Sequence, residues 1–177
     1  MTGLLIVDAQ NGLFNGLHQP QATLGAMKHL LEKARSAHVS VFFTQDRDVG
    51  EPESHAFAIH PTLEPRDGET VIQKNASDAF HGTPLEAMLR EHSIQRVVIA
   101  GLKTPACITA TTLGAIYRGF NVTLAQDAHS TDDTEELPAD RVIAYTNEFL
   151  YGYGSRAHGY SEGHASVTVM RSSEVVF

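Results

Sequence analysis

Two periods alternate along the chain. Short, largely apolar runs stand at 4–7, 39–44, 70–73, 97–101, 122–125 and 167–170. Runs of this kind read as strands buried on both faces, as in a parallel sheet. Between them apolar residues recur at helical spacing. Leu24, Met27, Leu30, Leu31 and Ala34 mark a helix over 22–37, and TPLE at 83–86 opens another through His92 as a capping box. Thr104 as cap and Pro105 at the first helical position open a third, with Ile108, Thr112, Ala115 and Ile116 inward and Gly119 at its end. A fourth spans 136–150. Strand and helix alternate throughout, so the pattern predicts one α/β domain over 1–177, with a central, mainly parallel sheet flanked by helices in three layers.

Two stretches lack a period. Residues 47–68 hold three prolines, two glycines and two histidines, and read as a long ordered loop. Residues 151–164 hold four glycines, three tyrosines and two histidines. Gly152, Gly154 and Ala157 satisfy G-x-G-x-x-A by letter, but they follow a predicted helix, whereas a dinucleotide fingerprint follows a strand. The stretch reads either as a loop over a pocket or a second subunit, or as a plain surface insertion.

Composition narrows the function classes. The net charge of −8 argues against unaided binding to nucleic acid or an anionic membrane. No apolar run reaches the roughly 18–20 residues of a membrane span, and no basic leader precedes the first strand. The single cysteine makes no internal disulfide, which fits a reducing, cytoplasmic setting.

Chemistry-bearing residues stand at the carboxyl ends of three strands, or one turn beyond. Asp8 closes the first run, Lys74 the third, and Cys107 lies in the first turn after the fourth. In a parallel sheet these ends share one edge, where ligand crevices lie. A buried carboxylate and a buried ammonium are each costly alone and tolerable as a pair. A thiol at a helix start beside Lys74 is expected as a thiolate, well below the ~8.5 of free cysteine. Asp8 can take the thiol proton and return it to a leaving group. Backbone N–H groups at Lys103 and Cys107 can receive an oxyanion. The same residues also fit a structural ion pair beneath an inert thiol.

The stretches LLIVDAQNGLF (4–14), VFFTQD (41–46) and 59–130 carry D-x-Q, K-x-x-x-x-A-F-x-G-T and G-x-x-T-x-x-C in that order. They resemble the isochorismatase-like cysteine hydrolases, a family that includes nicotinamidases and N-carbamoylsarcosine amidases. The resemblance covers most of the chain through about residue 130. It implies a Rossmann-like sandwich, an Asp8, Lys74, Cys107 triad, a cis peptide at Leu102–Lys103 and an oxyanion hole from the amides of Lys103 and Cys107. It further implies substrate contacts at Gln10, Phe14 and Phe80, and assembly as a dimer or tetramer. Nicotinamidases have an Asp-x-His metal motif after the second strand, where this chain reads Asp46-Arg47-Asp48. That departure speaks against a nicotinamidase, and neither metal nor other cofactor is expected. Asp46, Asp48, His55 and His60 remain either as a residual ligand set or as solvated loop residues.

The expected function is hydrolysis of an amide, ureido or related C–N bond in a small molecule, through a covalent acyl-enzyme on Cys107. The alternatives are an isochorismate-like vinyl ether hydrolase that needs no thiol, an idle family member serving as a binding or assembly module, and a nucleotide-binding protein resting on residues 152–157.

Overall fold

The computed structural model describes residues 1–154 and 165–177. Six strands form one sheet: β1 (Thr2–Val7), β2 (Val41–Asp46), β3 (Thr70–Lys74), β4 (Arg96–Leu102), β5 (Asn121–Ser130) and β6 (Val167–Met170). All pair in parallel, in the order β3-β2-β1-β4-β5-β6. The helices are α1 (Pro20–Ser36), α2 (Leu85–Glu91), α3 (Thr109–Tyr117) and α4 (Ala139–Leu150).

Alternate side chains of each strand serve opposite faces. Leu4, Ile6, Phe43, Val98 and Ala100 pack with Met27, Leu30 and Leu31 of α1. Leu5, Val7, Phe42, Ile99 and Leu124 pack with Leu85 and Leu89 of α2, Ile116 of α3 and Leu150 of α4. Burying each such side chain contributes about 1.5–3 kcal/mol, so both faces of the sheet are apolar and need cover.

The chain winds outward from β1 to β3, then returns to the centre and winds outward again from β4 to β6. The order therefore reverses between β1 and β4, and crevices form at the carboxyl ends of such strands. Gly101 sits at that seam, paired with Val7, at φ +132. A Cβ there would lie 2.0 Å from the Val7 carbonyl oxygen, so no side chain fits. A register shift between Ile99 and Gly101 then brings Gly101 opposite His129 and Leu102 opposite Ser130. This is why β5 runs to Ser130 rather than stopping at Ala125.

Two helix starts differ from expectation. Pro84 occupies the cap of α2; the Thr83 hydroxyl accepts from the Leu85 N–H at 3.4 Å and donates to the Ala79 carbonyl, while Glu86 pairs with Arg90 and Arg118 instead of reaching back, so only half of the capping box forms. Thr104 is not a cap. It begins a π turn (Thr104–Ile108) in which the Lys103 carbonyl accepts from the N–H groups of Ala106 and Ile108. The Thr104 side chain turns inward to a buried imidazole, 3.0 Å from His129 Nδ1.

That imidazole links three elements. Asn147 of α4 donates its Nδ2 to the Gln126 carbonyl at 3.2 Å, which directs its Oδ1 at His129 Nε2, 3.0 Å away. Nε2 must then carry the proton, Nδ1 accepts, and the Thr104 hydroxyl donates. Burial lowers the His129 pKa to about 4, against the raising effects of Asn147 and Asp127, so the ring is neutral at pH 7.

Two expectations follow. Gly101→Ala must displace the Val7 backbone and should cost on the order of 3 kcal/mol, read as a lower urea midpoint; an unchanged midpoint would contradict the close contact. For His129, the unfolded ring takes up a proton near pH 6.5 and the folded ring only near 4, so stability falls as pH drops through that window. His129→Gln should show a shallower fall of the urea midpoint between pH 6.5 and 4.5 than the parent. Equal slopes would refute the neutral, buried ring.

Candidate active site

Strand register builds the site. Asp46 ends β2 directly opposite Lys74 at the end of β3. Asp8 follows β1 on the other side of β2, with φ +49, a conformation that L-residues adopt only where surroundings enforce it. Its backbone N–H reaches the carbonyl and hydroxyl oxygens of Thr44, each at 3.2 Å, and the Thr44 hydroxyl donates to Asp8 Oδ1 at 2.6 Å. The Lys74 side chain is fully buried, with Nζ 2.7 Å from Asp8 Oδ2, 2.6 Å from Asp46 Oδ2 and 2.9 Å from the Ala76 carbonyl. Its remaining neighbour is Cys107 Sγ, at 3.4 Å. Cys107 Sγ also lies 3.9 Å from Asp46 Oδ2.

The structure thus brings together Asp8, Lys74 and Cys107, and adds Asp46. The Asp8 carboxylate is thus buried with one oxygen on the Thr44 hydroxyl and the other on the Lys74 ammonium. Burial raises the Asp8 carboxyl above its ordinary pKa, against the charge and hydrogen bond of Lys74. Burial alone would lower the Lys74 ammonium, but the Asp8 charge and the hydrogen bonds to Asp46 and Asp8 outweigh it and hold it above the usual lysine range. Burial, then the Asp8 charge, push the Cys107 thiol up to about 11 despite Lys74. The expected resting thiolate is therefore corrected. Burial and the neighbouring Asp8 carboxylate thus oppose a thiolate more than the single Lys74 ammonium favours it.

The other candidates occupy different roles. Gln10 is fully buried, and its amide donates to the carbonyls of Asp46 and Phe57 and accepts from the Asp46 N–H. It fixes Asp46, and both of its amide hydrogens are already taken. Phe80 is buried in the core, stacked 5.9 Å from Phe120 with the Arg118 guanidinium over its ring. Phe14 is half-buried against His60, with ring centroids 4.9 Å apart. The Leu102–Lys103 peptide is cis, and the Lys103 ammonium pairs with Asp132.

The loop ligand set does not assemble. The Asp48 N–H donates to Asp46 Oδ1, and His60 Nδ1 accepts from the Thr62 N–H. Among the described residues, the ligand-type side chains that come together in a group of three are Asp8, Asp46 and Cys107, and the Lys74 ammonium already binds both carboxylates. Most of the Gly- and Tyr-rich stretch, 155–164, lies outside the described residues.

Thr44, Asp46 and His129 escaped the sequence reading in these roles. Thr44 and Asp46 are two apart at the end of a strand, so they share a face, a signal that TQD carries. His129 had none, because its partners come from the π turn and from α4.

Comparisons with known proteins agree with this fold. The isochorismatase domain family matches residues 2–146. Streptothricin hydrolase from Streptomyces noursei is 32% identical over 142 residues, covering 76% of this chain and 56% of the relative. The chain therefore spans little more than half the length of that relative. N-carbamoylsarcosine amidase from Arthrobacter is 29% identical over 116 residues, 53% of this chain and 44% of the amidase. A crystal structure of an isochorismatase-family protein from Chromobacterium violaceum superposes with a TM-score of 0.84 at 29% identity, covering 97% and 90% of the two chains. Parallel topology and a domain match over residues 2–146 together place the chain in the isochorismatase family.

Proposed function

We propose that the protein hydrolyses a C–N bond, amide or ureido, in a small molecule through a covalent intermediate on Cys107. The observation that carries this reading is the buried Lys74 ammonium, shared by Asp8 and Asp46 and in contact with the thiol. The relatives named as hydrolase and amidase support the class and make N-carbamoylsarcosine and streptothricin the first compounds to assay.

Sγ attacks the carbonyl carbon as its proton passes to Asp8. This transfer moves a proton between two buried groups and leaves the total charge unchanged. The carbonyl oxygen becomes an oxyanion, received by the N–H groups of Lys103 and Cys107. The intermediate collapses, the C–N bond breaks, and the leaving nitrogen takes the proton from Asp8. Water then attacks the thioester, gives a proton to Asp8, and the acid departs as Cys107 is reprotonated. Lys74 stays protonated throughout and orients Asp8. Asp46 and Thr44 act as positioning residues. The reading includes a cytoplasmic setting and a homo-oligomer; a 19.2 kDa species in light scattering at micromolar concentration would refute the latter.

Ammonia or amine release across a panel of small amides and ureido acids tests the class, and release from none of them would defeat it. Cys107→Ala should remove nearly all turnover, and Asp8→Asn should cost about 10²–10⁴ in rate. The double variant should be little worse than Cys107→Ala, because the pair acts as a unit. Asp46→Asn should lose less than Asp8→Asn. Substantial turnover by Cys107→Ala would transfer the protein to the thiol-independent, vinyl-ether class.

Iodoacetamide labelling of Cys107 reads the thiol directly. Its rate should still be rising above pH 9, and Asp8→Asn should move the midpoint down, since it removes the negative charge that opposes the thiolate. A rate that levels off below pH 8 in the parent protein would contradict the protonated resting state.

A further inference from the structure

The outer face of α4 is apolar where a solvent-facing helix is ordinarily polar. Tyr145 is 70% exposed, Phe149 44% and Leu137, just before the helix, 57%. The rings of Tyr145 and Phe149 stack at 6.0 Å, and Phe149 tilts against Tyr153 at 5.6 Å. The Tyr153 hydroxyl lies 2.9 Å from that of Tyr117, which extends the row to the end of α3. Beside it runs a groove of about 490 Å³ lined by Pro105, Leu137, Arg141, Val142, Tyr145 and Phe149 among others. Contiguous apolar surface of this kind marks interaction sites.

Charge along the stripe says what covers it. Arg141 stands one turn before Tyr145, and Glu148 about one turn after it. Seven residues apart, they lie within about 20° of each other around the helix, so both flank the same aromatic row. Both are exposed, and among the described residues neither enters an ion pair. A stripe with a cation at its start, an aromatic at its centre and an anion at its end is complementary to itself in reverse.

We infer that this face is where two copies of the chain meet, with their α4 helices packed antiparallel about a twofold axis at Tyr145. This rests on the homo-oligomer reading above and gives it a location. In a twofold contact the same residues serve both sides. Each Arg141 then meets the partner's Glu148, Tyr145 stacks across the axis, and each helix start lies beside the other's end, which the helix dipoles favour. Tyr and Arg are the side chains enriched at such contacts. Pro105 belongs to the turn that carries Cys107, so the contact abuts the nucleophile's own turn.

The test is a charge swap on the full chain, followed by light scattering and sedimentation over a micromolar dilution series. The parent should be at least a dimer. Arg141→Glu and Glu148→Arg should each weaken association by roughly tenfold or more, because like charges then face each other. The double variant R141E/E148R should return to near the parent affinity, a recovery that misfolding could not produce. A monomeric parent would overturn both this inference and the homo-oligomer reading. An oligomer undisturbed by either single change would overturn this interface alone, as would a double variant that stays as weak as the singles. None of these outcomes bears on hydrolysis, which the amide panel tests separately.

Discussion

An ammonium group with no exposed surface cannot stand alone in a protein interior. Lys74 meets that constraint with two carboxylates and one carbonyl, all within 3 Å. Removing either carboxylate would leave a buried charge underpaired, a loss of about 3–5 kcal/mol in comparable cases. Much of the carboxyl edge follows from this. Asp46 has to lie opposite Lys74, so β2 and β3 must be neighbours in that register. Asp8 has to arrive from the other side of β2, so β1 must be next, and its carboxylate reaches the lysine only through a left-handed backbone.

The thiol arrives from the other half of the sheet. Asp8, Asp46 and Lys74 belong to the winding that moves outward from β1, while Cys107 belongs to the one that begins at β4. The seam between them is the β1–β4 pairing, and Gly101 makes it closer than any residue with a Cβ would permit. Past that seam the chain enters the π turn, whose first residue is tied by His129 to β5 and by Asn147 to α4. Cys107 is thus set by one group of elements and Asp8 by another.

Much of this was legible in the sequence, for identifiable reasons. Unbroken apolar runs can only be strands with both faces covered, so the parallel sheet and the shared edge of Asp8, Lys74 and Cys107 followed from periodicity. What periodicity cannot carry is strand order. Asp46 reads as a loop acid until β2 is known to lie beside β3, and only then does it become a ligand of Lys74. Gln10 likewise reads as a substrate contact until its amide is seen bound to the backbone of Asp46 and Phe57. Local cap signals failed where a tertiary partner outcompeted them, as His129 does for the Thr104 hydroxyl. A helix start and Lys74 alone point to a thiolate, whereas burial and the Asp8 charge, which depend on the folded site, oppose it.

A preformed thiolate needs an excess of positive charge, whereas this site holds two carboxylates and one ammonium. In a medium of low dielectric, adding a charge costs far more than moving a proton between neighbours. On the proposed mechanism the thiol is neutral at rest and its proton passes to Asp8 as the sulfur bonds to carbon, with the new negative charge appearing on the substrate oxygen. Burial raises the Asp8 carboxyl as well as the thiol, which makes Asp8 a stronger acceptor than a solvated aspartate. On the proposed mechanism, reactivity depends on an electrophile seated over Sγ with amides aimed at its oxygen.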